Sequence, residues 1–468
     1  MTFTGTLNNT TGTISWSLTG PGSVTPTSGS TTSYTPPTTL AASTIATLTA
    51  SAGAGLNASA AITITPPPAI TVSGTVVDSA FKKFPGVSVI IGSQNTVTDT
   101  NGQFTIANVT PPYDLTALVT IASGAKSASV YRGLSRVDPT ISVQLSTTVT
   151  NSTGMVFGSI VGADPLGTSG DLTEVVWGSS QPPMVQSFPV APSSPPYILE
   201  LSWPPDVPAI TGNVHALQWA LDSHGMPASY KGYAVSTGVI VASGGSTNQN
   251  LVMSAPSTTT VGGSVILPSG IPAASKAGIL VFDDLAEITV ADDGVPVLPN
   301  SFSYLFPNIS GATAAIAAGG ATEAGGSPEA TGLVSAEISG IALGTTNVAL
   351  TLPTPISGIL PADVATSVGT ATDFSWTAVT GGNAVYLFEV TGAPTQVSYF
   401  VFTTATTARI PDLTAQGLGL PSGASYQWTV FAVGPHSSLD SAAGAKAYFP
   451  TGNARFTALT KPRSFTTQ

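Results

Sequence analysis

Four aspartates carry the most suggestive chemistry in this chain. Asp283-Asp284 and Asp292-Asp293-Gly294 are two acidic pairs close together in sequence. Carboxylate oxygens are the hard ligands that Ca²⁺ prefers, so Asp283, Asp284, Asp292 and Asp293 are the candidate metal ligands. They lack the full D-x-D-x-D-G loop, and Asp292-Asp293-Gly294 also reads as an ordinary turn. Asp99, in Asp99-Thr100-Asn101-Gly102, reads as an Asx-type turn former rather than a ligand. The chain has three histidines, His215, His224 and His436. A metal pair on one strand would stand two apart, and on one helix four apart. His215 and His224 fit neither spacing, so all three are expected at loops or on the surface. No G-x-S-x-G elbow, H-E-x-x-H, Walker A loop or dinucleotide glycine pattern occurs. A serine triad needs one Ser beside a His and an acid, and here no Ser–His pair stands out. We therefore expect no catalytic residue, no organic cofactor and no enzymatic activity. Trp177, Trp203 and Trp219 are half of the six tryptophans. They could stack on sugars, which makes surface glycans candidate partners, or fill a core, and core packing is the expected role. Six N-x-S/T sequons, at Asn8, Asn9, Asn57, Asn108, Asn151 and Asn308, are unremarkable in a chain so rich in Ser and Thr.

Composition excludes much else. The 468 residues contain 12 Lys and Arg against 23 Asp and Glu, a net charge of -11, and charged residues are only 7%. A nucleic-acid partner needs a basic surface that displaces counterions, and twelve scattered cations do not provide one. With no cysteine, disulfides, thiolate zinc sites and thiol catalysis are excluded. Mean hydropathy is positive, at +0.32. Yet the apolar runs, such as Ala277–Phe282 and Val385–Phe388, are strand-sized, so no transmembrane segment is expected. Met1-Thr2-Phe3-Thr4-Gly5 carries no basic or apolar leader pattern. A charge-poor, Thr-rich chain fits a secreted or cell-surface protein whose leader is absent from this sequence.

These residues must be positioned almost entirely by strands. Short β-branched runs alternate apolar and polar side chains, and Gly, Pro, Asn and Asp (49 of them Gly, 38 Pro) punctuate the runs. That pattern predicts an all-β chain of tandem antiparallel β-sandwich domains. Proline-rich joints at Pro66-Pro67-Pro68, Pro256–Thr260 and Pro353-Thr354-Pro355, and the polar stretch Ser146–Thr153, divide it into segments 1–67, 68–149, 150–256, 257–353 and 354–468. Such joints are stiff and extended, so an elongated rod is expected.

In the first segment Ile14, Trp16 and Leu18 share one strand face. With Thr32–Pro37 and Ala61-Ile62-Thr63-Ile64, this strand resembles a bacterial Ig-like domain. Such domains carry a strand before the Trp strand. Here either that strand is missing or Phe3–Leu7 is a shortened version of it. In the second segment, Val72–Asp78, Pro85–Ile91 and Thr98–Ile106 resemble a carboxypeptidase-regulatory-like domain, which implies a transthyretin-type sandwich. Gly74 is expected to relieve crowding, Asn101-Gly102 to form a tight turn, and Phe104 and Ile106 to point inward. Gly154–Val161 and Val261–Leu267 echo its first strand, so segments three and four read as two further transthyretin-like sandwiches. Whether those two are separate or interwoven is open. The Gly/Ala-rich Gly311–Thr331 has little to pack and reads as a mobile loop. The last segment resembles a fibronectin type III domain, through Phe374–Thr377, Val385–Val390 and Ser425–Val430. Tyr426 is either its tyrosine corner or a plain core tyrosine.

Two functions compete. Low surface charge and lysine-free sheet edges suit a chain that packs against copies of itself, as a homo-oligomer or polymer. The expected role is then an extracellular structural one: a filament, sheath or surface-layer subunit, or an adhesin stalk. If the first sandwich lacks a strand, a neighbour's strand could fill the gap. The alternative is a lipoprotein-like cell-surface binding protein for carbohydrate or calcium.

Overall fold

A computed structural model describes residues 1–468 except 9–10, 38–39, 41, 54, 80, 121–123, 125, 145–150, 163–170, 181–184, 191–196, 206, 295, 297, 323–331, 394–396 and 445–452, and it leaves the side chains of 186–190 undescribed. The chain is all-β, built of multiple mainly antiparallel sheets, with one short α-helix, Leu439–Ala442, and one 3₁₀ turn among the described residues. No helix there is long and apolar enough to cross a membrane.

The first segment packs a sheet of Thr2–Thr4, Thr31–Thr35 and Ser23–Thr25 on one of Ser15–Thr19, Thr44–Ala52 and Leu56–Ile64. Ile14, Trp16, Tyr34, Ala46, Leu48 and Ile62 form its own core. The opening strand is present but short: Phe3 pairs with Thr32, and Thr2 with Ser33. The gap that a neighbour's strand would have filled is therefore closed from within the chain.

In the second segment Ile70–Val77 is flanked by Gln103–Val109 and Thr140–Ser142. A Cβ on Gly74 would lie 2.5 Å from Phe104 and from the Pro139 carbonyl, so only glycine fits there. Gly102 turns at φ 69°. Phe104 and Ile106 are buried behind it. In the third segment, a sheet built on Ser152–Gly158 and Tyr197–Trp203 faces one of Asp171–Gly178, Ala209–Leu221 and Pro227–Ala242.

The fourth, fifth and second segments share one fourteen-stranded sheet. From one edge it runs Glu287–Asp292, Ser275–Phe282, Ala312–Ala321 and Leu333–Ile341. It continues through Ala454–Leu459, Ser425–Gly434, Val385–Thr391 and Val397–Thr403. It then passes to Lys126–Leu134, Tyr113–Thr120, Ser88–Ile91 and Gln94–Val97, while off this path Arg463–Thr467 pairs with Ser425–Gly434 and with Ala365–Val368. Two junctions join the segments. Leu333–Ile341 pairs antiparallel with Ala454–Leu459, with Glu337 and Arg455 bridged at 2.7 Å. Lys126–Leu134 pairs parallel with Val397–Thr403, and Tyr131 stacks on Phe402 at 4.3 Å. The last segment thus sits between the fourth and the second, an order that a simple end-to-end series does not contain. The cores merge as well: Val385, Leu387, Phe402 and Leu439 pack with Val72, Phe104 and Leu115.

One sequence expectation fails here, and one open alternative is decided. Gly311–Thr331 does not read out as a loop: Ala312–Ala321 is an interior strand, paired on both sides. Its small side chains are what allow close packing, since a Cβ on Gly320 would meet Ile271 at 2.5 Å. Residues 323–331 lie outside the described part. Tyr426 is the plain core tyrosine of the two alternatives, not a tyrosine corner. It is fully buried, stacks on Phe465, and its hydroxyl has no partner among the described residues.

Candidate functional site

The hairpin of Ser275–Phe282 and Glu287–Asp292 carries all four candidate aspartates. Its register pairs Val281 with Glu287 and Ala277 with Asp292. Asp283 and Asp284 therefore sit at the turn, and Asp292 and Asp293 at the far end. At ~3.4 Å per residue the two pairs are about 17 Å apart. The structure does not bring the four acids together. Among the described residues, no group of three or more His, Cys, Asp or Glu is placed to hold a metal.

Three of the four acids have work of their own. Asp284 Oδ2 accepts from His215 Nε2 at 2.8 Å and from Asn213 Nδ2 at 2.7 Å. Its Oδ1 accepts from the Ala286 amide at 3.2 Å. Burial pushes this carboxyl up, but the hydrogen bonds from His215 and Asn213 outweigh burial and leave it below the usual carboxylate range. Asp293 pairs with Lys276 Nζ at 2.7 Å and accepts from the Tyr304 hydroxyl at 3.2 Å. Lys276 is 3% exposed, so this is a buried ion pair. Asp292 caps the Gly294 amide at 2.8 Å, as a turn former does. Asp283 is exposed beside Gly311. Oxygens already accepting from ammonium, amide and imidazole N–H groups are not a Ca²⁺ ligand set, so the donor chemistry does not fit that cation.

The histidines differ from expectation. His215 and His436 are buried, at 5% and 4% exposure, and only His224 lies at an exposed turn. His215 stands on the long strand Ala209–Leu221, whose face packs on the fourth segment. There it stacks on Phe282 at 4.1 Å and shares a 2.9 Å hydrogen bond with Tyr233 through Nδ1. Tyr230 adds a 2.7 Å bond to the Leu305 carbonyl. Segments three and four thus keep separate sheets but one joint core, which includes Leu217, Trp219, Phe282 and Phe306. Sequence reasoning missed this contact because its partners are far apart in the chain. The one available signal was an apolar run interrupted by a lone His.

Trp177, Trp203 and Trp219 are all buried and form no exposed platform. Asp99 Oδ1 accepts from the Asn101 and Gln103 amides, both at 2.8 Å, which is an Asx turn. A groove of about 440 Å³ lies in the first segment, lined by Phe3, Leu7, Trp16, Leu48, Leu56 and Ala58.

No family model matches the sequence, and neither does any curated protein. Solved structures show faint likenesses. The Bacillus anthracis TIE protein aligns over 73% of this chain and 67% of its own, at 8% identity and a TM-score of 0.16. BcpA, the major pilin subunit of Bacillus cereus, aligns over 61% of this chain and 99% of its own, at 9% identity and a TM-score of 0.13. The N-terminal eight Ig domains of Down syndrome cell adhesion molecule align over 89% and 62%, at 10% identity and a TM-score of 0.12. Likenesses at these TM-scores carry no argument about what this chain does.

Proposed function

We propose that this chain is an extracellular structural protein. It is a subunit of a surface filament, sheath or layer, or the stalk of an adhesin, and it assembles through its β-sandwich edges. The observation that carries this reading is the continuous sheet through three segments. A binding module needs one rigid domain and a site. This chain instead ties its second, fourth and fifth segments by strand pairing and merged cores, and adds the third through a buried polar contact. That construction resists relative motion, which suits a load-bearing part. The scarcity of charge supports the same reading, because little repulsion separates neighbouring copies. In this reading the chain has no enzymatic role. Its first segment is a bacterial Ig-like sandwich, its second a carboxypeptidase-regulatory-like one, and its last a fibronectin III-like one.

Negative-stain electron microscopy of native material, with light scattering of the purified chain, tests the proposal. Regular fibres or sheets are the expected result. A monodisperse monomer at all concentrations would overturn it and favour a cell-surface binding protein for carbohydrate or calcium.

A further inference from the structure

We propose that the strand Leu56–Ile64 is a self-pairing edge, which joins two copies of this chain across a two-fold axis. This rests on the assembly reading above and names its interface.

Three observations converge on it. First, Leu56–Ile64 pairs on one side with Thr44–Ala52, and among the described residues no strand pairs with its other side. The other outer strand of that sheet, Ser15–Thr19, is partly covered, because Trp16 donates to the Thr27 carbonyl and Gly29 to the Ile14 carbonyl. Natural edges are blunted by lysine, proline, bulges or shortness. This one has nine residues, no charge, no proline and unbroken register.

Second, the inner face of the strand is only half covered. Ala60, Ile62 and Ile64 pack inward, but Leu56 and Ala58, on the same face by alternation, are exposed, Leu56 to 49%. They border the apolar groove between the two sheets, opposite Phe3 and Leu7. A strand added beside Leu56–Ile64 would extend the sheet and lay its own inward side chains over that groove. This is augmentation beside the sandwich, and the strand Thr2–Thr4 stays where it is.

Third, charge selects a second copy as the occupant. The chain carries a net charge of -11, yet no Asp, Glu, Lys, Arg or His occurs before Asp78. This is the longest charge-free stretch of the chain, so two identical acidic chains meet there without facing like charges. Antiparallel pairing of one strand with itself is two-fold by construction, which is the commonest symmetry of homo-oligomers.

The test uses the full chain. Ser59 and Ala61 are exposed on the outer face of the strand. The wild type is expected to show twice the chain mass by light scattering, or larger assemblies built of such pairs. S59K/A61K sets lysines against lysines across the axis and should lose that pairing, as should S59E/A61E. Mixing the two variants should restore it. Ser59→Cys supplies the only thiol of the chain, and a short bismaleimide should then yield cross-linked dimers even if a charged variant folds poorly. Assembly that persists unchanged in both charged variants, or an absence of cross-linking in an assembled sample, overturns this interface and leaves the structural reading standing. A wild type that stays monomeric overturns both.

Discussion

The first and last segments are both small sandwiches, yet they settle their edges in opposite ways. In the last segment, Ala454–Leu459 is covered by Leu333–Ile341 of the fourth, and Val397–Thr403 by Lys126–Leu134 of the second. Its core merges with theirs. The first segment keeps a core of its own, and among the described residues Leu56–Ile64 is unpaired on one side. The difference teaches that edge strands in this chain are spent internally wherever a partner segment is in reach. Among the edges left open in the described residues, Leu56–Ile64 combines nine residues with no charge and no proline.

The largest effect should come from breaking the merged region. Phe402→Ala removes a fully buried ring stacked on Tyr131, and should cost about 4 kcal/mol. Hydrogen exchange should rise in 113–134 and 385–403 together. A rise on one side alone would show that the two segments are not one cooperative unit. Trp16→Ala should cost about 3 kcal/mol, but with exchange rising only within the first segment. Spread of that effect beyond residue 67 would break the comparison from the other side.

Lys276→Ala leaves the Asp293 carboxylate half-buried without its ammonium, and should cost about 3 kcal/mol in denaturant titrations. Gly74→Ala forces a methyl against Phe104 and the Pro139 carbonyl, for about 2 kcal/mol. The smallest effect concerns acid. The Asp284 carboxyl lies below its ordinary 3.8 when folded. Its stabilising contribution is therefore present above that value and fades as pH falls below it. Asp284→Asn should flatten the acid limb of the stability curve, and equal slopes for variant and wild type would remove Asp284 from the account.

Much of the local structure was legible in the sequence. Asn101-Gly102 could only be a tight turn, and Gly74 had to be small. Trp16 and Phe104 had to be inside, because alternation puts them on a face with other apolar residues. The candidate site was less legible. Asp283, Asp284, Asp292 and Asp293 looked like one cluster because they are close along the chain. A hairpin sends its turn and its open end to opposite extremes, so chain proximity became spatial separation.

What the sequence determined by itself was the all-β class, the turns and inward faces of single strands, and the absence of any thiol. These depend on composition and on a two-residue period, which are local properties. Tertiary structure alone decided that the last segment inserts between the second and the fourth, that Ala312–Ala321 is an interior strand, and that His215 meets Asp284. Each depends on backbone hydrogen bonds or side-chain contacts between residues far apart in the chain. Any strand edge offers the same N–H and C=O groups, so pairing partners are chosen by shape and burial after the chain has folded.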